Sequence, residues 1–392
     1  MWIDRDISKT FRRNLGTRPV LLISGARQTG KTSLCRQLLK EHAFVSLDLP
    51  RLAEEAELSG EQFLRDRPAP LIIDEIQYAP GLFRYIKAAI EGKRSKSGLY
   101  VLTGSQKFNL MAGVSESLAG RVALLDLHSL SFSELERWSG RKMDRRLLLE
   151  WMFRGGYPEL YAKKLDPEQF YGDYVSTYLE RDVRQVLQVR NLRDFDRFMR
   201  LLALRSGQIL SLQSFSSDIG ISPNTVKSWL SVLEASQIIY LLEPYFENFG
   251  KRIVKTPKLY FLDTGLACFL AGFRSSAELE KSALLGAFFE TAALGQLIRW
   301  HANRGKSPKV YFYRSHTGME IDFVVTAGDK IRLYECKWAE DPPESRAFEE
   351  FEKGLDKKRI FSKSLLTPIR GSRQKPSGTH VEDCVDWKSL ES

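Results

Sequence analysis

A glycine-rich segment near the amino end limits this 392-residue chain to a small set of folds. Its residues are Gly25, Ala26, Arg27, Gln28, Thr29, Gly30, Lys31 and Thr32. It follows an apolar run, Val20–Ser24, and precedes a helical pattern that extends to about Lys40. Glycines in such a segment let backbone N–H groups wrap around phosphates, and the following helix adds partial positive charge. The segment therefore predicts a strand, a phosphate-binding loop and a helix, with ATP as the expected ligand.

The spacing G-x-x-x-x-G-K-T assigns roles to the last side chains of this segment. We expect Lys31 to reach the β- and γ-phosphates and the hydroxyl of Thr32 to hold Mg²⁺. Ser33, which comes next, completes the predicted ATP-binding set. The alternative is a glycine-rich turn that matches the pattern by chance, but the strand before it and the helix after it favour phosphate binding.

A second apolar run, Leu71–Asp74, ends in two consecutive acidic residues. A carboxylate at the end of a buried strand orients the Mg²⁺ shell in P-loop proteins. We therefore predict Asp74 as a metal-shell residue and Glu75 as the catalytic base that polarises the attacking water. The alternative is that both acids only mark the point where the strand meets solvent.

Short apolar runs alternate with helical patterns between about residues 20 and 127, which predicts a parallel sheet covered on both faces. The expected strands are Val20–Ser24, Phe44–Asp48, Leu71–Asp74, Leu99–Thr103 and Val122–Leu127. The pattern then becomes almost wholly helical, and from about Leu259 helices and strands mix again. We expect an α/β protein with a P-loop core at 1–130, a helical region at 131–250 and a third α/β domain at 251–392.

The composition indicates a soluble chain with a positive surplus. There are 59 Lys plus Arg against 49 Asp plus Glu, a net charge of +10. Such a surplus favours approach to polyanions such as DNA, although many basic proteins bind no nucleic acid. No apolar run approaches the roughly 20 residues of a membrane span. The four cysteines lie far apart and the amino end lacks a signal-peptide pattern, so we expect a cytoplasmic protein that has no membrane partner.

A helix-turn-helix pattern lies between Leu212 and Ile239. Ser222 is a plausible helix N-cap and Pro223 suits the first helical position. Val226, Leu230 and Leu233 would face inward. The outward residues, which could meet phosphates and base edges of DNA, are Ser222, Asn224, Thr225, Lys227 and Ser228. Helix-turn-helix folds also serve as packing or protein-docking modules, which is the alternative here.

Several motifs together resemble those of predicted AAA+-superfamily ATPases of bacteria and archaea that carry an uncharacterised C-terminal domain. These motifs are Gly25–Thr32, Leu71–Gln77, Leu102–Ser105, Ser117–Arg121, Gly155–Pro158, Tyr178–Asp182 and Lys258–Asp263. The resemblance extends over nearly the whole chain. It implies an AAA-like ATPase module, a helical and winged-helix-like middle and a C-terminal nuclease-like fold.

The same resemblance implies further roles at the ATPase site. If the fourth strand lies between the first and the third, Thr103 or Ser105 would face the γ-phosphate. Arg121 lies where such ATPases keep an arginine finger, which would act from a neighbouring subunit of a homo-oligomer; the alternative is an ordinary solvated arginine. Gly155–Pro158 resembles the lid motif of signalling P-loop ATPases, which would place Pro158 near the adenine, unless it is a simple turn between helices.

Spaced acidic residues in the last region resemble the E…D…E-x-K pattern of PD-(D/E)XK nucleases. Glu290 lies in a predicted helix, and Asp322 and Glu335 lie on two adjacent predicted strands, so the three could hold Mg²⁺ or Mn²⁺. Alternation along a strand puts Lys337 on the same face as Glu335, where it would support catalysis. Glu320 faces the same way as Asp322 and is an auxiliary candidate. Acids and lysines at strand ends are also common on surfaces, and this fold is often kept for binding after its chemistry is lost.

Two hypotheses of function follow. In the first, the chain is an ATP-driven protein that acts on DNA, with its C-terminal domain as a nuclease or a clamp. In the second, it is a signalling ATPase that binds a protein partner and has an inactive C-terminal fold. DNA-stimulated ATP hydrolysis would separate them, and the sequence favours the first.

Overall fold

A computed structural model describes residues 2–92, 96–105, 110, 117–179, 192–245, 256–315, 318–353, 359–387 and 390. The end of the Tyr178–Asp182 motif therefore lies outside the described residues. Across these ranges, none of the helices combines the length and the apolar character needed to cross a bilayer.

The amino-terminal region forms a parallel sheet. Its strands are β1 (Val20–Ser24), β2 (Ala43–Ser46), β3 (Leu71–Asp74), β4 (Tyr100–Gly104) and β5 (Val122–Asp126). They lie in the order β2-β3-β4-β1-β5, so the fourth strand does lie between the first and the third. The predicted strands are all present, two of them with the predicted ends and three with ends that differ by one or two residues, and the α/β class is confirmed.

Consecutive residues of a strand point to opposite faces of the sheet, so a strand that is apolar throughout makes both faces apolar. Helices accordingly cover both faces of this sheet. The helices are α1 (Ser8–Leu15) and α2 (Lys31–Leu38) on one face, and α3 (Pro50–Leu58), α4 (Gly60–Asp66) and α5 (Leu82–Glu91) on the other. Leu21 and Ile23 pack into the first core, whereas Val20 and Leu22 pack into the second. The parallel arrangement brings the carboxyl ends of β1, β3 and β4 to one edge, next to the glycine-rich loop.

The middle region is mainly helical and contains a small antiparallel sheet. Its helices are α6 (Phe132–Ser139), α7 (Arg145–Arg154), α8 (Pro158–Ala162), α9 (Pro167–Tyr174), α10 (Leu192–Leu204), α11 (Leu212–Ile219) and α12 (Pro223–Ala235). Its strands are β6 (Gln208–Ile209), β7 (Ile239–Leu242) and β8 (Lys258–Phe261), in the order β6-β8-β7. Because β8 follows residue 250, this sheet takes one strand from the expected third domain.

The last region combines helices with a six-stranded mixed sheet. The helices are α13 (Thr264–Ala271), α14 (Ser276–Lys281), α15 (Leu285–Asn303) and α16 (Arg346–Lys353). The strands are β9 (Val310–Arg314), β10 (Glu320–Ala327), β11 (Lys330–Cys336), β12 (Ile360–Thr367), β13 (Ser372–Gln374) and β14 (His380–Asp383), in the order β13-β14-β12-β11-β10-β9. One cluster of buried side chains contains Trp151, Phe195, Phe289 and Tyr334, so the middle and last regions share a core.

Candidate functional site

The glycine-rich loop makes a tight turn between β1 and α2. A Cβ atom on Gly25 would lie 2.2 Å from the carbonyl oxygen of Leu127, so a larger residue does not fit there. Gly30 has a φ of 93°, a left-handed conformation that side chains disfavour, and it directly precedes the first turn of α2. The backbone therefore has the compact form that phosphate binding requires, with the amino end of a helix beside it.

Lys31 is buried at the start of α2. Its Nζ donates hydrogen bonds to the carbonyl oxygens of Gly25 at 3.0 Å and Ala26 at 2.9 Å. Burial lowers the pKa of this ammonium below its ordinary value, while Glu75 and Asp74 act in the opposite direction. A bound triphosphate would supply negative charge to this buried cation, so the loop fits the ligand that the sequence predicts.

Asp74 connects the loop helix to the sheet. Its Oδ1 accepts hydrogen bonds from the hydroxyl of Thr32 at 2.7 Å and from the hydroxyl of Thr103 at 2.6 Å. Hydroxyl and carboxylate oxygens are ligands that suit Mg²⁺. The residues present therefore fit the metal that accompanies a nucleoside triphosphate in proteins with this loop.

Glu75 follows β3 in a left-handed conformation, with a φ of 56°. Its backbone N–H donates to the hydroxyl of Thr103 at 3.2 Å, and its carboxylate accepts a hydrogen bond from the Nε2 of Gln77. The same Nε2 of Gln77 donates to the hydroxyl of Ser105 at 3.3 Å. Gln77 thus links the predicted base to the predicted γ-phosphate sensor, a role that the sequence did not reveal.

A cavity of about 430 Å³ opens beside the loop. Its lining comprises Trp2, Ile3, Arg5, Gln28, Gly30, Lys31, Thr32, Ser33, Glu75, Pro158, Glu159, Ala162 and Lys163. Pro158, at the start of α8, lines this cavity together with Lys31 and Glu75. The structure therefore brings Pro158 to the cavity that the loop borders.

Arg5 supports the loop and was not singled out from the sequence. Its guanidinium donates to the carbonyl oxygens of Thr29 at 2.9 Å and His128 at 2.6 Å, and it pairs with the carboxylate of Glu134 at 3.2 Å. Arg5 is buried, so these contacts fix the segment before α1 against the loop and against β5. A buried arginine between Asp4 and Asp6 has no distinctive local pattern, because its partners are distant in the sequence.

Arg121 lies at the start of β5, at the sheet edge opposite the loop. Because β5 runs parallel to β1, with Val122 beside Val20, this start is a strand length from the phosphate-binding end. The guanidinium of Arg121 pairs with the carboxylate of Glu91 at 3.3 Å. If Arg121 contacts a nucleotide, that nucleotide must therefore be bound to another subunit, as the arginine-finger hypothesis expects.

Of the five helix-turn-helix residues predicted to face outward, four are exposed and Thr225 is half-buried. Ser222 caps α12 by accepting a hydrogen bond from the backbone N–H of Thr225 at 3.1 Å. Asn224 and Lys227 are exposed, as are Ser222 and Ser228. The residues that face the core are Val226, Trp229, Leu230 and Leu233.

Three carboxylates converge in the last region. Oxygen atoms of Glu290, Glu320 and Asp322 lie within 4.8 Å of one another. A lysine of the middle sheet reaches them: Lys258 Nζ is 2.7 Å from Glu290 and 2.5 Å from Glu320. Burial raises the pKa of Asp322 well above its ordinary value, and Glu290 adds to this effect. Lys258 belongs to a motif of the resemblance, but its sequence context gave no sign of this contact.

Glu335 and Lys337 lie together, as alternation along a strand predicts, with 2.7 Å between Lys337 Nζ and Glu335 Oε1. Asp322 is held from the neighbouring strand, since its Oδ2 accepts a hydrogen bond from the backbone N–H of Cys336 at 2.7 Å. Glu335 lies outside the converging group of three, in which the auxiliary candidate Glu320 takes part instead.

Comparison with known families agrees with the geometry of the loop and sheet. The family described as AAA domain matches residues 17–136. Two domains of unknown function, DUF8612 and DUF4143, match residues 145–277 and 285–381. Residues 17–136 thus form a domain of the P-loop, AAA class.

Two uncharacterised proteins, one from Mycobacterium tuberculosis and one from Mycobacterium bovis, are each 30% identical to this chain over 346 residues. The match covers 88% of this chain and 76% of each relative, and the chain belongs to their family. Among solved structures, the Walker-type ATPase of Pyrococcus abyssi is similar over 69% of this chain and 96% of its own, with 17% identity and a TM-score of 0.47. AMPPCP-bound DnaA from Aquifex aeolicus is similar over 58% and 86%, with 14% identity and a TM-score of 0.31.

Proposed function

We propose that the protein binds ATP with Mg²⁺ and hydrolyses it to ADP and phosphate at the carboxyl edge of the five-stranded sheet. The observation that carries this proposal is the meeting of Thr32 and Thr103 on Asp74, with Lys31 buried nearby. Thr32 and Asp74 would hold Mg²⁺, which supplies charge neutralisation at the phosphate oxygens.

The groups around this edge have separate roles in hydrolysis. The loop backbone and Lys31 hold the phosphates in place. Glu75 accepts a proton from a water molecule, whose oxygen attacks the γ-phosphorus while the bond to the bridging oxygen breaks and ADP leaves. Gln77 orients both Glu75 and Ser105, because its amide nitrogen contacts each of them.

We propose DNA as the partner, contacted by the exposed face of α12. Asn224 and Lys227 are exposed there, beside Ser222 and Thr225, and the net charge of +10 favours a polyanion.

In this proposal the ATPase core comprises residues 1–130, the lid and winged-helix-like region 131–250, and the nuclease-like domain 251–392. Because all four cysteines are free thiols, we propose a cytoplasmic location.

The nuclease-like domain has two candidate roles in this proposal. As a nuclease it would hold Mg²⁺ or Mn²⁺ with Glu290, Asp322 and Glu335, assisted by Lys337. As a clamp it would bind DNA without cutting it. We favour the clamp, because the ammonium of Lys258 already contacts two of the three converging carboxylates. Cleavage of DNA with Mg²⁺ or Mn²⁺ by the wild-type protein, but not by Lys337→Ala, would favour the nuclease instead.

The rate of ATP hydrolysis with and without DNA, at several salt concentrations, tests the proposed function. We expect DNA to stimulate hydrolysis and the stimulation to fall as salt rises, because phosphate contacts release counterions. Lys31→Ala serves as the control for contaminating ATPases. Hydrolysis that DNA does not change would favour the competing proposal, a signalling ATPase with a protein partner.

A further inference from the structure

The carboxylates of Glu290, Glu320 and Asp322 come from two elements of the last region, α15 and β10. Their oxygen atoms lie within 4.8 Å of one another, which resembles the donor set of a divalent metal ion. Carboxylates at this separation repel one another when they are ionised, and a cation among them relieves the repulsion.

Lys258 provides that cation from a third element, β8. It is 2% exposed, and its Nζ lies 2.7 Å from Glu290 and 2.5 Å from Glu320. Its backbone is fixed on both sides, because Lys258 is paired with Ile209 of β6 and with Leu242 of β7. The ammonium is therefore held in place by a sheet and is not carried on a free loop.

The other hydrogen bonds of these carboxylates also suit an ammonium. Tyr260, two residues along β8, donates its hydroxyl to the same Glu290 carboxylate that Lys258 contacts. Asp322 is turned toward the backbone N–H of Cys336 at 2.7 Å. Hydrogen bonds from N–H or O–H donors thus engage one oxygen of Glu290, one of Asp322 and both of Glu320, whose Oε2 contacts Arg314 at 3.3 Å. Mg²⁺ and Mn²⁺ need the oxygen lone pairs for themselves.

We propose that the ammonium of Lys258 is the resident cation of this cluster and that it excludes a divalent metal ion. The donor set therefore does not fit the metal that a PD-(D/E)XK nuclease would use. The same ion pairs join β8 of the middle sheet to α15 and β10, so the cluster fastens the helix-turn-helix region to the last domain. This inference is independent of ATP hydrolysis.

Binding of Mn²⁺ to the nucleotide-free, full-length protein tests this proposal, with free Mn²⁺ measured by electron paramagnetic resonance. The wild type is compared with Asp322→Asn, so that Mn²⁺ ions bound elsewhere contribute equally to the number measured for each protein. We expect both proteins to bind the same number of ions. A wild type that binds one ion more than Asp322→Asn would overturn the proposal.

A second comparison removes the ammonium. Lys258→Met removes the buried ammonium but keeps the contact of 3.3 Å between Arg314 and Glu320 Oε2. We expect this variant to bind one additional Mn²⁺, at least about tenfold more tightly than the wild type binds any ion at this cluster. That ion should be lost again in Lys258→Met/Asp322→Asn. A folded Lys258→Met that gains no ion would overturn the proposal. Circular dichroism monitors folding, and Lys258→Gln, which keeps a polar side chain, replaces Lys258→Met if that variant does not fold.

Discussion

Arg5 donates a hydrogen bond of 2.9 Å to the carbonyl oxygen of Thr29, and its guanidinium also pairs with the buried carboxylate of Glu134. The hydrogen bond to Thr29 holds the phosphate-binding loop in place. The ion pair with Glu134 connects Arg5, and through it the loop, to α6. Arg5, which also lines the cavity beside the loop, thus contacts both the loop and the helical region that follows the sheet.

Replacing Arg5 by Met should weaken both folding and ATP binding. Glu134 would lose its ion-pair partner and keep its hydrogen bonds from the backbone N–H groups of Asp6 and Ser131, so the free energy of unfolding should fall by up to about 3–5 kcal/mol. The loop would lose its contact at Thr29, so ATP affinity should fall as well. Urea unfolding and titration with labelled ATP measure the two effects.

The matched control is Arg5→Met/Glu134→Gln, which removes the unpaired charge. We expect it to recover part of the stability but none of the ATP affinity, because the contact with Thr29 is still missing. If affinity recovers together with stability, Arg5 acts only on folding and does not position the loop.

Replacing Glu75 by Gln should leave ATP binding intact and slow turnover. Glutamine keeps the size and can still contact Gln77, but it cannot accept the proton of the attacking water. Loss of a general base typically reduces the rate by about 10²- to 10⁴-fold. Single-turnover hydrolysis beside an ATP-binding titration makes the measurement, and unchanged hydrolysis would remove Glu75 from the role of base.

If Arg121 completes the site of a neighbouring subunit, two inactive variants should restore activity when mixed. Arg121→Ala keeps Glu75 and loses the finger, whereas Glu75→Gln keeps the finger and loses the base; loss of an arginine finger costs about 10³-fold or more. A mixed oligomer contains sites with both groups. Glu91→Gln, which breaks the ion pair of Arg121 within the chain, is the control and should stay active. The absence of recovery on mixing, with a specific activity that does not change on dilution, would contradict action between subunits.

Local patterns were sufficient to predict the phosphate-binding loop and the edge of the sheet. The loop is contiguous, from Gly25 to Thr32, and the apolar composition of the strand that ends at Asp74 predicts that this strand is buried. Parallel strands bring their carboxyl ends together, and this explains why Thr32, Asp74 and Thr103 could be expected to meet.

Contacts between distant segments could not be predicted in this way. Arg5 is separated from Glu134 by 129 residues and Lys258 from Glu320 by 62, and nothing in the neighbouring residues specifies either pair. Gln77 is close to Glu75 in sequence, but its second contact, with Ser105, depends on the order of strands. The ends of strands shifted by one or two residues because hydrogen bonding, which hydrophobic patterning does not report, decides where each strand stops.

Reversing the charge of Lys227 should weaken binding to DNA and reduce its dependence on salt. One phosphate contact fewer lowers the slope of log affinity against log salt by about one. Lys164→Glu makes the same change of charge at an exposed position far from α12 in the sequence and serves as the control. Fluorescence anisotropy of labelled duplex DNA gives both slopes. Equal losses in the two variants would mean that only net charge matters and that α12 makes no specific contact.

We propose that the loop from Gly25 to Thr32 binds a triphosphate through its backbone, Lys31 and Thr32. Isothermal titration of the full-length protein with a non-hydrolysable ATP analogue and Mg²⁺, beside Lys31→Ala, tests this claim. We predict saturable binding at one site by the wild type and an affinity at least about tenfold lower in Lys31→Ala, because a charge-assisted contact with the phosphates is lost. No binding by the wild type, or equal affinity in both proteins, would contradict the claim.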